Sequence, residues 1–191
     1  ITGIDSSKEM LAKAFSEGLD ITWIEEDVTK WWPENKFDLI FSNAALHWCD
    51  DHINLLPRLL RFLSPRGVLA IQMPRNHEAP SHTCIADVVH SGPWASKLTP
   101  LLREQPVSAP DVYYDILRPQ CWRLDIWETE YLQVLEGSNP VVEWTRGTAL
   151  KPLLDALEQN EKLAFEIEYG RLIEEAYPRA EDGKTLFPFR R

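Results

Sequence analysis

The chain has few cysteines, and their arrangement excludes two classes of protein. Cys49, Cys84 and Cys121 are odd in number, widely spaced and form no C-x-x-C pair, so neither a disulfide framework nor a structural metal is expected. No apolar run approaches the ~20 residues that a membrane helix needs, and no secretory or transit signal is read at either end. Positive charge is also short: 20 Lys and Arg stand against 30 Asp and Glu, for a formal net charge of −10. That balance repels phosphate backbones and argues against nucleic acid as a partner. There is no internal repeat and no low-complexity linker. These absences favour a cytoplasmic protein that acts on small molecules, with no membrane and no nucleic acid involved and its oligomeric state open.

What is present reads as an α/β protein. With 191 residues and 44% apolar content, the chain can bury one substantial core, so one domain with a cap is expected. Ile1 to Asp5 is an apolar run closed by a carboxylate, the form taken by the second strand of a nucleotide-binding sheet. No strand and glycine-rich loop stand before it, so the reading is of a fragment whose function belongs to its parent. Ser6 and Glu9 have capping-box spacing ahead of Met10, Leu11, Ala14 and Phe15, and Gly18 closes that helix. Strands are expected at 21–24, 37–41 and 68–73, with a helix over 51–63 that turns Ile53, Leu56, Leu59, Leu60 and Leu63 inward. A turn follows at Ser64-Pro65-Arg66-Gly67. Beyond residue 77 come prolines and short helices, then a long strand over 121–135 and helices over 141–157 and 161–176. The expected division is a partial cofactor-binding core at 1–76, a covering segment at 77–118, and closing elements of the same domain at 119–191. Short strands alternating with helices favour a mostly parallel, doubly wound sheet.

Ligands of such sheets bind at the carboxyl ends of the strands, where Asp5, Asp27 and Asn43 stand. Asp5 suits ribose hydroxyls and Asp27 an adenine amino group. The bland alternatives are a helix cap for Asp5 and a solvated turn acid for Asp27. Two acids at successive strand ends favour the nucleoside pocket.

Ile1-Thr-Gly-Ile-Asp-Ser-Ser7, Glu26-Asp27, Phe37-Asp-Leu-Ile-Phe-Ser-Asn-Ala-Ala-Leu-His-Trp48 and Leu63-Ser-Pro-Arg-Gly-Val-Leu69 together resemble the class I S-adenosylmethionine-dependent methyltransferases. Ala70-Ile-Gln-Met-Pro74, Tyr113-Tyr-Asp-Ile-Leu117, Asp125-Ile-Trp-Glu-Thr-Glu-Tyr131 and Val142-Glu-Trp-Thr-Arg-Gly-Thr148 are similar, within that class, to the trans-aconitate 2-methyltransferase family. The resemblance implies a Rossmann-like sheet with a helical cap, its first strand and glycine-rich loop and its last strand lying outside this chain. It implies S-adenosyl-L-methionine as cofactor, with Asp5 and Ser6 at the ribose, Met10, Asp27 and Val28 at the adenine, and Asn43, Ala44 and Leu46 at the methionine end. The implied reaction is methyl transfer to a carboxylate of trans-aconitate, with another small carboxylic acid or a non-catalytic fragment as alternatives. These residues alone are expected to be inactive.

A carboxylate is already ionised at neutral pH, so no catalytic acid or base is expected, and the enzyme's task is placement. Candidate residues for the polycarboxylate are His47, Trp48, Tyr113, Tyr114, Trp144 and Arg146, with Arg146 first because a guanidinium forks a carboxylate. Each has a packing or surface alternative. Arg75, Asn76 and His77 are further candidates, whereas His52, His82 and His90 read as ordinary polar residues.

Overall fold

The structure, a computed structural model, describes residues 1–103 and 105–191. Glu104, inside the expected covering segment, lies outside the described residues. The chain forms two compact units, one of residues 1–41 and 51–70, the other of residues 42–50 and 71–191.

In the first unit, β1 (Thr2–Asp5) pairs parallel with β2 (Thr22–Glu25), Asp5 opposite Glu25, with α1 (Lys8–Ser16) between them in the chain. Gly3 is required here because the Trp23 ring lies where a Cβ would stand, within 2.2 Å of the ideal position. The N-cap of α1 is Ser7, whose Oγ accepts from the Met10 N–H at 3.3 Å. This corrects the expected Ser6 cap by one residue, because Ser7, with extended backbone, faces the open N–H groups. Strand β3 (Phe37–Asn43), longer than expected, pairs with β4 (Leu63–Gln72), and the boundary between units cuts both strands near their ends. The helix α2 (His52–Arg61) precedes β4 and buries His52, Leu55, Leu56 and Leu59. Ile53, expected inward, is exposed instead. The buried set keeps the i, i+3, i+4, i+7 spacing of one helix face, and Ile53 falls outside it. The turn at Ser64–Gly67 is a bend within β4: Arg66 takes a left-handed φ of 70°, and Gly67 lies against the Phe37 carbonyl, too close for a Cβ.

The second unit contains α3 (Pro80–Ser91), α4 (Ala95–Leu98), α5 (Pro110–Leu117), β5 (Glu130–Leu135), α6 (Pro140–Arg146), α7 (Lys151–Asp155), α8 (Gln159–Ala176) and β6 (Thr185–Arg190). Pro80, Pro110 and Pro140 each open a helix, where a missing N–H removes a donor that would have no partner anyway. Glu158 and Glu161 form a capping box at the start of α8. The expected helix over 141–157 is two, α6 and α7, separated near Gly147. The expected strand over 121–135 is laddered only near its end, because β6 pairs antiparallel with Glu130 to Leu135 and the pairing extends only to the reciprocal bonds of Thr129 with Arg191. Trp122 and Trp127, upstream of that ladder, are exposed. Phe187 to Arg190 lie within β6.

Val88, Val89, Leu98, Val141, Leu150, Phe165, Tyr169, Ile173 and Phe187 make the core of this unit. A satisfied polar network crosses it. The Tyr169 hydroxyl contacts the Ser81 carbonyl at 2.8 Å and Thr145 Oγ1 at 3.2 Å, and the Tyr177 hydroxyl accepts from the Ser81 N–H at 3.1 Å. Burial pushes the Tyr169 phenol well above its ordinary pKa, so it remains a donor. Among the described residues no helix is long and apolar enough to cross a membrane.

Candidate functional site

In the first unit the candidate residues stand just after β1 and β2. Asp5 is half-buried and its Oδ1 accepts from the Ser7 N–H at 2.7 Å, while Oδ2 has no protein partner among the described residues. Ser6 and Met10, on the same turn and the first turn of α1, are exposed. At the second strand end, Asp27 Oδ1 accepts from Thr29 N and Thr29 Oγ1 at 2.8 and 2.7 Å. Those bonds, Thr29 Oγ1 foremost, hold its pKa below the ordinary carboxylate value. Asp27 is thus a turn-forming acid whose other oxygen stands 3.7 Å from Lys30 Nζ.

One contributor here escapes the sequence reading. Arg58 of α2 donates from Nη2 to the Val28 carbonyl at 2.6 Å and from Nη1 to the Thr29 carbonyl. A single guanidinium therefore clamps the loop that presents Asp27 and Val28. An arginine set among the leucines of α2 is the only signal of it that the sequence carries.

In the second unit, β3 ends at Asn43 and the chain turns sharply at Ala44, whose φ of 51° is left-handed. A non-glycine residue in that region is held by its surroundings, here partly by the bond from Ala44 N to the Gln72 carbonyl at 3.0 Å. Leu46 is buried, and His47 and Trp48 complete a short 3-10 turn with ring centroids 4.9 Å apart. Arg103, a second residue the sequence reading passes over, fixes this turn. Its Nη1 donates to the His47 carbonyl at 2.9 Å, its Nη2 pairs with Asp50 at 2.8 Å, and its guanidinium lies 5.9 Å from the Trp48 ring centroid.

The other acceptor candidates are scattered. Tyr113 of α5 is buried, its hydroxyl accepts from Ser108 N at 3.0 Å, and burial raises its pKa. Tyr114 is half-exposed and lines a shallow groove with Arg123 and Trp127. Trp144 packs on Phe187 and Phe189, centroids 5.8 and 5.6 Å away, as an aromatic cluster member. Arg146, the first choice from sequence, already has carboxylate partners: its Nε donates to Glu166 at 2.7 Å and its Nη1 to Glu143. Both forks already hold protein carboxylates, because α8 brings Glu166 to it from twenty residues away.

The residues after β4 are the opposite case. Asn76 is buried and bonded to Arg190, whereas Gln72 Nε2, Arg75 Nε and His77 Nδ1 are buried atoms without a partner. His82 bonds Ser81 Oγ through Nδ1 at 3.0 Å. Burial, with His77 and His47 as neighbouring positive charges, lowers its pKa to about 4. Burial likewise lowers the pKa of His77.

Residues 1–71 match the family model described as a methyltransferase domain. The chain is 44% identical over 191 residues to the trans-aconitate 2-methyltransferase of Azoarcus sp. strain BH72, covering 100% of this chain and 75% of that protein. It is 42% identical over 193 residues to that of Yersinia pestis strain Pestoides F, covering 74% of it. Among solved structures, a putative sarcosine dimethylglycine methyltransferase from Galdieria sulphuraria superposes with a TM-score of 0.50 at 14% identity, over 100% of this chain and 68% of that one, a likeness of fold alone.

Proposed function

This chain belongs to the trans-aconitate 2-methyltransferase family of class I S-adenosylmethionine-dependent methyltransferases, and from that premise we propose that it transfers a methyl group to a carboxylate of trans-aconitate, giving the monomethyl ester. The observation that carries the reading is that likeness to the relatives runs through all 191 residues, acceptor half included, at 44% identity. A fold match alone would leave the acceptor open.

The residues at the strand ends fit the cofactor. Asp5 keeps one carboxylate oxygen available for ribose hydroxyls, with Ser6 beside it, and Asp27, Val28 and Met10 serve the adenine. Asn43, Ala44 and Leu46 serve the amino-acid end, in a turn whose left-handed Ala44 holds the backbone in place. S-adenosylmethionine supplies an electrophilic methyl group on a sulfonium.

The chain's own contribution is placement. An acceptor carboxylate has an unperturbed pKa of about 4 and needs no base. It must reach the methyl carbon in line at roughly 3–3.5 Å, with water excluded. His47 and Trp48, braced by Arg103, face the acceptor in this proposal, with the 77–118 segment covering it and Tyr113 donating a hydrogen bond. A protein of this kind, with a polyanionic small molecule as its substrate, works in the cytoplasm.

The test is direct. The full-length enzyme that contains these residues, incubated with methyl-labelled S-adenosylmethionine and trans-aconitate, should give a labelled monomethyl ester. Binding of S-adenosylhomocysteine without any ester formed would retain the cofactor assignment and refute the acceptor.

A further inference from the structure

Buried polar side-chain atoms normally find partners, so a group of them left over marks a place where a ligand completes the bonding. Gln72 Nε2, Arg75 Nε and His77 Nδ1 are such atoms, and all three lie within six residues at the carboxyl end of β4. We propose that this strip, Gln72 to His77, holds the non-reacting carboxylates of a polycarboxylate acceptor.

The chemistry of the leftover atoms selects the ligand. Gln72 Nε2 and Arg75 Nε carry only donors, and His77 donates when its proton is on Nδ1. Two obligate donors, joined by His77 in that tautomer, complement a ligand that is acceptor-only and anionic. The amino-acid end of a sulfonium cofactor fits it poorly, because the ammonium beside that carboxylate is repelled by Arg75. An acid with several carboxylates and no cation fits it well.

The geometry is prepared. Arg75 Nη1 is anchored to Glu128 at 2.9 Å, which fixes the guanidinium plane, while Nη2 stands 3.9 Å from Glu78, beyond hydrogen-bond distance. The edge formed by Nε and Nη2, one of the two that fork a carboxylate, therefore lacks a close partner. The side chain of Arg75 is 16% exposed and that of His77 only 6%, so bonds made there form away from bulk water. The Gln72 Oε1 accepts from Arg191 at 3.2 Å, which fixes the orientation of its amide while Nε2 is left without a partner. Asn76, between the two donors, is bonded to Arg190 and holds the strip against β6.

This inference rests on the proposed function, and the experiment separates the two. Ester formation by the unaltered full-length enzyme, in which the variants are also made, is measured first; its absence would refute the underlying reading before any variant is made. Arg75→Lys keeps the charge and the Glu128 pair but loses the fork, and should raise the KM for trans-aconitate about ten- to hundredfold. His77→Gln removes the Nδ1 donor and should raise it about three- to tenfold. For both, the calorimetric Kd for S-adenosylhomocysteine should stay within twofold of the unaltered value. An unchanged KM in either folded variant, or a matching loss of cofactor affinity, overturns the proposal. Should Arg75→Lys fail to fold by circular dichroism, His77→Gln decides it.

Discussion

Asn76 and Arg190 bond each other in both directions. Asn76 Nδ2 donates to the Arg190 carbonyl at 3.0 Å, and the Arg190 N–H donates to Asn76 Oδ1 at 2.8 Å. One side-chain amide thus occupies the place of a neighbouring strand along β6. Asn76→Ala leaves both backbone groups without these partners, at about 1–3 kcal/mol, or about 2–4 °C of melting midpoint for each kcal/mol. The variant should melt earlier in a thermal scan. It should also raise the KM for the acid, since Arg75 and His77 flank the lost anchor, and an unchanged midpoint would remove Asn76 from the scaffold.

Asp5 and Arg58 should affect the cofactor by different routes. Asp5→Ala removes charge-assisted hydrogen bonds to the ribose, worth about 1.5–3 kcal/mol, and should raise the calorimetric Kd for S-adenosylhomocysteine about ten- to hundredfold. Arg58→Met frees the Asp27–Thr29 loop and should weaken binding by a smaller factor without touching ligand. An unchanged Kd for Asp5→Ala, with the fold intact, would reduce Asp5 to the partner of Ser7 N.

Activity should be level between pH 6 and 9. The nucleophile is ionised throughout, and burial keeps His77 below its ordinary pKa, so it stays largely neutral over most of the window. Steady-state kcat/KM across that range is the measurement. A steep rise near the imidazole pKa that disappears in His47→Gln would give His47 a proton-transfer role.

Arg146→Met should leave the KM for trans-aconitate unchanged. Its guanidinium serves Glu143 and Glu166 on a half-exposed surface, where such pairs contribute at most about 1 kcal/mol each. A raised KM would show that the acid displaces those carboxylates and would return Arg146 to the acceptor site.

His82 should make stability fall in mild acid. Its folded pKa is about 4 against an ordinary value of 6.5, so between those values the unfolded chain binds the extra proton. Stability is therefore full above pH 6.5 and declines as pH falls toward 4, by up to about 3 kcal/mol. Urea midpoints at pH 7.5 and 4.5 measure the decline, which His82→Gln should flatten. An equal decline in that variant would assign the effect to other groups.

The local code was legible wherever a short stretch carries its own instruction. The carboxylate closing β1, the apolar spacing of α1 and the prolines that open α3, α5 and α6 act within one or two turns, and the motifs they frame suffice to recognise the family. The leucine-rich stretch of α2 offers more apolar positions than one face can bury, so Ile53 read as core until packing left it outside. Partner choice lay beyond the sequence altogether. Arg146 is occupied because α8 delivers Glu166, Arg58 reaches a loop thirty residues upstream, and Asn76 bonds a strand 114 residues away. Arg75 and Arg146 are alike as residues in a sequence. What separates them is how many of their N–H groups the folded chain has already matched, and periodicity carries no record of that because hydrogen-bond partners are assigned only when distant segments meet.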